Sequence, residues 1–227
     1  AELRALAATA PAGAMVVTDH QTGGRGRLGR TWISRPGEDL TFSVLLRPTL
    51  GPAQAHLLSL AAALAVAEVL DVVVGTGARA AGVKWPNDVL LRGEKVCGIL
   101  LEGSMDADRL LWVVAGVGLN VNSDPGDLLA GFPPERNQEW LGKPRPTSLR
   151  AQTGRHVPRG SLLVLILAAL MRRWEQAASG DLLDELRRRD VLAGRRVEVF
   201  SGLPAGEAAV PGQGSLNGEA LGLGPEG

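Results

Sequence analysis

Two short segments about 60 residues apart hold the residue types best suited to chemistry. Gln21 to Trp32 reads Gln-Thr-Gly-Gly-Arg-Gly-Arg-Leu-Gly-Arg-Thr-Trp, a glycine-rich run carrying Arg25, Arg27 and Arg30. Lys84 to Asp88 reads Lys-Trp-Pro-Asn-Asp and is followed by Lys95-Val-Cys-Gly98. Glycine lets the backbone reach φ > 0 and approach a ligand closely. Arginine supplies planar, permanently charged forks matched to carboxylate and phosphate. A loop that alternates the two is built to hold an anion against main-chain donors. Of the 24 basic residues only three are lysines, Lys84, Lys95 and Lys143. Two lysines close together in an arginine-based chain point to a task for a compact, mobile ammonium, with Lys95 the stronger candidate.

Other chemistries find little support. Gly24-Arg-Gly26-Arg-Leu-Gly29 matches the dinucleotide fingerprint G-x-G-x-x-G, but that motif needs a helix directly after it and an acid about 20 residues on. Thr31 to Asp39 has no helical apolar period, contains Pro36 and Gly37, and brings Glu38 and Asp39 too early. The three histidines, His20, His56 and His156, have no metal-ligand spacing, and there is no H-E-x-x-H and no paired cysteine set. No G-x-S-x-G elbow occurs. Cys97 lies in an alternating apolar stretch that predicts a small buried thiol. What remains is a cluster of cations on a glycine-rich backbone, suited to bringing two anions together. Activation of a carboxylate by ATP is one such reaction: the acid must attack an α-phosphorus while both groups are negative, and pyrophosphate must then leave.

The elements that must position these residues follow from periodicity and punctuation. Ala14 to Thr18 predicts a strand feeding the glycine–arginine loop, and Leu40 to Leu46 a strand ended by Arg47-Pro48. Leu40 to Leu46 is expected at a sheet edge, where it could pair with another copy. Pro52 to Leu70 predicts a helix with Pro in its first turn, where a missing N–H costs nothing. Val83 to Trp85 and Val89 to Leu91 predict short strands joined by the Pro86-Asn-Asp turn, with Arg92-Gly-Glu as a hairpin turn. Lys95 to Glu102 and Leu110 to Val121 predict two longer strands. Glu2 to Ala10, Ser161 to Ala178 and Asp181 to Arg189 predict helices, the last capped by Asp181. Arg196 to Phe200 and Gly206 to Val210 open a small β module, while the glycine-rich residues after Pro211 predict no final strand. Strands with segregated helices predict an α+β fold.

Composition sets the frame: 227 residues, 45% hydrophobic, 21% charged and a formal net charge of zero describe one substantial domain with at most a small second one. No global field favours nucleic acid or an anionic membrane. The longest apolar run, Leu162 to Met171, is half of a membrane span and predicts a core helix. With one cysteine and no visible signal peptide, the expected location is the cytoplasm.

The motifs resemble those of the biotin protein ligases. The family loop reads roughly Gln-x-x-Gly-Arg-Gly-Arg-x-Gly-Arg-x-Trp, which Gln21 to Trp32 fits throughout. The Lys-Trp-Pro-Asn-Asp block stands as Lys84 to Asp88, the following Lys-hydrophobic-small-Gly-Ile-Leu strand as Lys95 to Leu100, and the Gly-x-Gly-hydrophobic-Asn element as Gly116 to Asn120. The resemblance covers about residues 1 to 200. It implies a mixed sheet flanked by helices over 1–190 and an incomplete SH3-like β module over 191–227. It implies biotin, ATP and Mg2+ as ligands, with Mg2+ not in a protein-held site, and a biotin carboxyl carrier domain of acetyl-CoA carboxylase as partner. A homodimer is also consistent with the family.

By the same resemblance the catalytic residues are Lys95, Arg25, Arg27 and Asp88, with Asp88 orienting or deprotonating the incoming amine. Gln21, Arg25, Gly26, Arg27, Lys95, Gly98, Leu100, Gly116 and Gly118 are expected to bind biotin, Gly116 and Gly118 by letting the backbone approach its bicyclic ring. Arg27, Arg30, Trp32, Asn87 and Asn120 are expected to bind ATP, and Lys84 to act as a supporting charge. Members also carry a Ser-Thr-Asn triplet just upstream of the first helix and, in some cases, a DNA-binding winged helix, neither of which stands in this sequence. Two rivals stay open: lipoate ligation on a related fold, whose arginine–glycine motif differs, and an arginine–glycine RNA-binding module. Such modules repeat the motif on a basic, aromatic face; here there is one copy, zero net charge and 4% aromatics.

Overall fold

Six stretches rich in Val, Leu and Ile pair into one sheet of order β1-β2-β6-β5-β4-β3. They are β1 (Met15–Thr18), β2 (Leu40–Leu46), β3 (Ala81–Lys84), β4 (Asp88–Leu91), β5 (Glu94–Asp106) and β6 (Arg109–Leu119). The computed structural model describes residues 2–75, 77, 79–107, 109–131, 143–179, 181–200 and 215–222. All five strand pairs are antiparallel. Among the described residues, parallel pairing enters only through the isolated bridges Val83–Asp190 and Lys95–Pro146. Arg92 (φ 50°) and Gly93 (φ 87°) make the β4–β5 turn, two left-handed residues that match the strand twist.

One face of the sheet packs on α2 (Ala55–Val74), itself covered by α5 (Arg159–Ser179). Pro52–Val74 has the length and mean hydropathy (2.3) of a membrane span. It is the core helix instead: Leu58 through Ala67 are buried against β-strands and α5. Gly75 (φ 70°) ends it and donates its N–H to the Asp71 carbonyl, a left-handed cap. The other face receives α1 (Glu2–Leu6), whose Leu3 packs with Ala7, Leu45 and Val114. Three short helices, α3 (Pro125–Ala130), α4 (Leu149–Thr153) and α6 (Leu183–Arg189), connect these layers. β7 (Arg196–Phe200) and β8 (Ser215–Glu219) form a separate antiparallel ribbon.

Alternation assigns the two faces. Val113, Ala115, Val117 and Leu119 of β6, with Cys97 and Ile99 of β5, enter the α2 core. Gly116 and Gly118, Gly98, Leu100 and Glu102 therefore project to the other side. The register lays these out in rows. Thr18, Thr41, Gly118, Gly98, Asp88 and Lys84 are successive partners across all six strands. Ser43, Gly116 and Leu100 form the next row, and Leu45, Val114 and Glu102 the one after. A register shift pairs Val89 with Cys97 but Leu90 with Lys95, leaving Val96 as an extra residue. Val96 and Cys97 both enter the core, and Lys95 is thereby turned to the face of Gly98 and Asp88.

Several expectations change. β2 lies between β1 and β6 and is not a sheet edge, because both neighbours pair along it. The edges are β1 and β3, and β3 is partly covered where Val191 donates its N–H to the Val83 carbonyl. The helix at Glu2 stops at Leu6 rather than Ala10, and Arg47 takes up the carbonyls of Ala7 and Ala10 beyond it. The core helix runs on to Val74, because tertiary burial continues past Leu70. Asp181 does not cap α6: the N-cap is Leu182, and the Asp181 carboxylate accepts from the Ser179 hydroxyl. A strand does form after Pro211, since pairing with β7 supplies what the Ser215–Glu219 side chains do not. Gly206 to Val210 lies outside the described residues.

Candidate active site

The face opposite α2 opens into a cleft of about 280 Å³. Its floor is the glycine row, its roof the Gln21–Trp32 loop, and its far wall the 143–146 segment. That segment is pinned along Lys95: the Lys95 N–H donates to the Arg145 carbonyl at 2.7 Å and the Thr147 N–H to the Lys95 carbonyl at 2.8 Å.

The loop folds back as a small hairpin. Trp32 N–H donates to the Gly24 carbonyl (2.9 Å) and Gly26 N–H to the Arg30 carbonyl (2.7 Å). Its tip turns through Leu28 (φ 56°) and Gly29 (φ 70°). Gly24 is required by close approach, since a Cβ there would run into the Trp32 carbonyl oxygen. No helix follows Gly29, in keeping with rejection of the dinucleotide motif. This fold-back brings Arg25, Arg27 and Arg30 to the cleft, along with Gln21 and Gly26. It also lays the Trp32 indole on the floor. A Cβ on Gly118 would collide with Cε2, Nε1 and Cζ2 of the indole, and one on Gly98 would lie 3.0 Å from Cζ3. Above Gly118 and Gly98 the room thus belongs to Trp32. Gly116 remains uncrowded, with only the Leu100 carbonyl and Ser43 hydroxyl near its position, at 3.5 and 3.6 Å.

Each cation that the sequence singled out most strongly has a carboxylate beside it. Lys95 Nζ lies 2.7 Å from Asp88 Oδ1 and 5.8 Å from the Trp32 ring centroid, an ion pair with a cation–π contact. Its angles fall outside those of a hydrogen bond, so Asp88 Oδ1 counts among the buried polar atoms without one. Arg25 Nη2 donates to Glu102 Oε2 at 2.9 Å. Lys84 lines the same cleft next to Asp88 in the row. Cys97, fully buried beneath, has its thiol pushed far up the pH scale by burial, so the sulfur stays protonated and inert.

The two asparagines hold the frame. Asn87 donates its side-chain amide to the Ile99 carbonyl at 2.9 Å. Asn120 donates to the Thr147 carbonyl at 2.9 Å. The Asn120 Oδ1 and Trp32 Nε1 atoms are buried in the cleft walls and have no hydrogen-bond partner among the described residues. Buried polar atoms left this way are costly and mark places where a ligand's polar groups fit.

All the sequence-derived candidates line this cleft. Sequence reasoning missed Glu102, Arg4 and the 143–146 wall. Glu102 was within reach, being two residues past Leu100 on the same strand face. The wall was not, because nothing local says that residues 143–147 pair with Lys95. Asp39 was missed as well. It is 1% exposed and accepts from the Arg35 N–H (2.9 Å), the Val121 N–H (3.0 Å) and the Ser123 hydroxyl (2.7 Å). It thereby ties the chain leaving the loop to the end of β6. Burial raises its carboxyl above the ordinary value, against the lowering effect of those bonds. Among the described residues, no group of three or more His, Cys, Asp or Glu could hold a metal ion.

Comparison with known proteins follows the same residues. Residues 2–120 match the model of the biotin/lipoate A/B protein ligase family. The chain is 39% identical over 175 residues to a biotin--[acetyl-CoA-carboxylase] ligase of Paracoccus denitrificans, which spans 77% of this chain and 68% of that protein. It is 37% identical over 165 residues to the bifunctional ligase/repressor BirA of Bacillus subtilis, 73% of this chain and 47% of that protein. The chain thus spans about half the length of the latter relative. Its fold superimposes on the biotin protein ligase from Aquifex aeolicus in complex with biotin and ATP, with a TM-score of 0.71 and 28% identity, over 98% of this chain and 83% of that one.

Proposed function

The chain belongs to the biotin/lipoate A/B protein ligase family, and on that premise we propose that it works as a biotin protein ligase in two half-reactions. Biotin and MgATP give biotinyl-5′-adenylate and pyrophosphate. A lysine of a carrier domain then attacks the mixed anhydride, yielding a biotinyl amide and AMP. The carrier is a biotin carboxyl carrier domain of acetyl-CoA carboxylase, the protein named with the Paracoccus relative.

The observation that carries this reading is that Lys95 and Arg25 line one glycine-floored cleft, each beside a sheet carboxylate. Two unit negative charges 4 Å apart repel by about 4 kcal/mol at an effective ε near 20, so fixed cations act directly on the barrier. Lys95 sits where it can bridge the attacking carboxylate and the α-phosphate. Arg25 and Arg27 take the reacting anions on the loop side, and Arg30 the outer phosphates. Trp32 walls the substrate ring, which has room over Gly116 and Leu100 rather than over Gly118. Asn120 Oδ1 and Gln21 offer polar contacts to the nucleotide and the ureido ring respectively. Asp88 holds Lys95 for the first step and accepts from the incoming ammonium in the second.

The test is pyrophosphate release with biotin and MgATP, followed by mass spectrometry of a carrier domain for a biotinyl adduct on one lysine. Replacing biotin with lipoate is the control that separates the two branches of the family. Lipoate supporting release better than biotin would overturn the assignment of substrate. Protection of the fold by RNA, with no release for either acid, would overturn the ligase reading altogether.

A further inference from the structure

On this reading of the cleft, we propose that Glu102 is the positioning residue for Arg25, fixing one corner of its guanidinium from the sheet and leaving the rest to face the substrate. Glu102 stands in an otherwise apolar row, opposite Val114 and beyond it Leu45, both buried. Its side chain is 23% exposed, and each oxygen serves one arginine. Oε1 accepts from Arg4 Nη1 of α1 at 3.1 Å and Oε2 from Arg25 Nη2 of the loop at 2.9 Å.

Arg25 spends only Nη2 in this contact, and among the described residues its other donors make no hydrogen bond. A guanidinium that gives one Nη2 hydrogen to Glu102 still presents an edge of two parallel N–H donors, the second Nη2 hydrogen paired with either Nη1 or Nε, to a second oxyanion. A free arginine side chain would have to give up its rotamer freedom on binding; one anchored to a strand has already done so. The arrangement parallels Asp88 and Lys95, in which a neighbouring strand position on the same face holds the other cation. Glu102 touches no reacting atom in this scheme. It acts through Arg25, and α1 shares the same carboxylate.

Limited trypsin digestion tests the placement directly, since Arg25, Arg27 and Arg30 are the cleavage points of the loop. In Glu102→Gln, cleavage within 25–30 of the unliganded protein should rise roughly two- to fivefold, the size expected for one part-exposed ion pair. Cleavage elsewhere should match wild type. The kcat for pyrophosphate release should fall roughly tenfold or more while KM for biotin changes little. Glu102→Gln should add nothing to an Arg25→Lys protein, because the two residues act as one unit. If Glu102→Gln melts markedly lower, Glu102→Asp, which keeps the charge one methylene short, carries the same comparison. Unchanged loop cleavage overturns the proposal, and so does an equal rise in Arg4→Gln, which would place the effect in α1. A wild-type protein that releases no pyrophosphate sinks the ligase reading instead, and the cleavage result still decides on Glu102.

Discussion

Lys95 stands 2.7 Å from Asp88, so removing either changes the setting of the other. Lys95→Ala should lower adenylate formation by about 10²–10³-fold, the range for loss of one preorganised electrostatic donor. The fold should survive, because Lys95 is one-quarter exposed and contributes little to the core. Lys84→Ala should cost far less, as Lys84 lies two strands further out, on β3. Pyrophosphate release and thermal melts on both variants check this; a Lys84 variant that loses more would reverse the two roles. The glycine floor offers a second comparison. Gly118→Ala forces a methyl into the Trp32 indole and should cost about 1–3 kcal/mol of stability, as overpacking does. Gly116→Ala meets only ordinary contacts and should cost well under that. Urea unfolding of the pair measures the difference, and equal costs would mean that Trp32 does not lie on Gly118.

At the scale of elements, the side that Lys95 faces depends on one surplus residue in β5. Were Val96 regularly paired, with no bulge, Lys95 would share the face of Cys97 and Ile99 and point toward α2. Deleting Val96 makes Lys95 the immediate neighbour of Cys97 and keeps it on the cleft face, so adenylation should stay well above that of Lys95→Ala, while the melting temperature should fall because a buried apolar side chain is lost. Pyrophosphate release as low in the deletion protein as in Lys95→Ala would contradict this account of which side Lys95 faces. A second element-level device is the buried Arg189, which joins α6 to α2 and β3 through Asp71 (2.7 Å), Glu185 (2.8 Å) and the Ala81 carbonyl (2.9 Å). This network seats β3 and, through it, Lys84 beside Asp88.

At the scale of the molecule, Asp39 clamps the loop exit to β6, and its titration is expected to show in the stability curve. Its folded-state pKa is raised above 3.8, so the folded protein holds that proton more tightly than the unfolded chain. The stability it contributes is present below about 3.8 and is lost as pH rises through the folded value. Glu185 runs the other way. Burial alone would raise it, but hydrogen bonds from Arg188 and Arg189 win and hold it below 4.5, so its contribution is lost as pH falls. Comparing Asp39→Asn with wild type cancels Glu185. The variant should be less stable by about 1–3 kcal/mol, because an amide N–H₂ would face one of three donors. The wild-type advantage should narrow as pH rises through the Asp39 window. Melting both proteins from about pH 3 to about pH 7 reads the slope; an advantage that widens with pH would contradict the raised value. Within the six-stranded sheet, β1, whose Met15 and Val17 are exposed, is the edge left uncovered for pairing by strand extension, whereas β2 is enclosed.

The residue types of the glycine–arginine loop, the two lysines and the strand alternation were legible in the sequence because each is a local property. A glycine next to an arginine, or an apolar residue at every second position, carries its physical meaning within a few residues. The helices ending at Val74 and Ser179, the strand segments and the buried Cys97 follow from that alone, to within a few residues at their ends. Register is not local. Alternation says that Gly98 and Gly118 each face one side, but only pairing between distant strands sets them opposite each other, with Trp32 above. The same holds for Val96, whose bulge reverses the side that Lys95 faces, and for β2, whose apolar pattern cannot say how many neighbours it has. The pairing of Glu102 with Arg25 and the 143–146 wall emerged only when the chain brought these residues together, because an ion pair between residues 77 positions apart depends on the closure of the whole sheet.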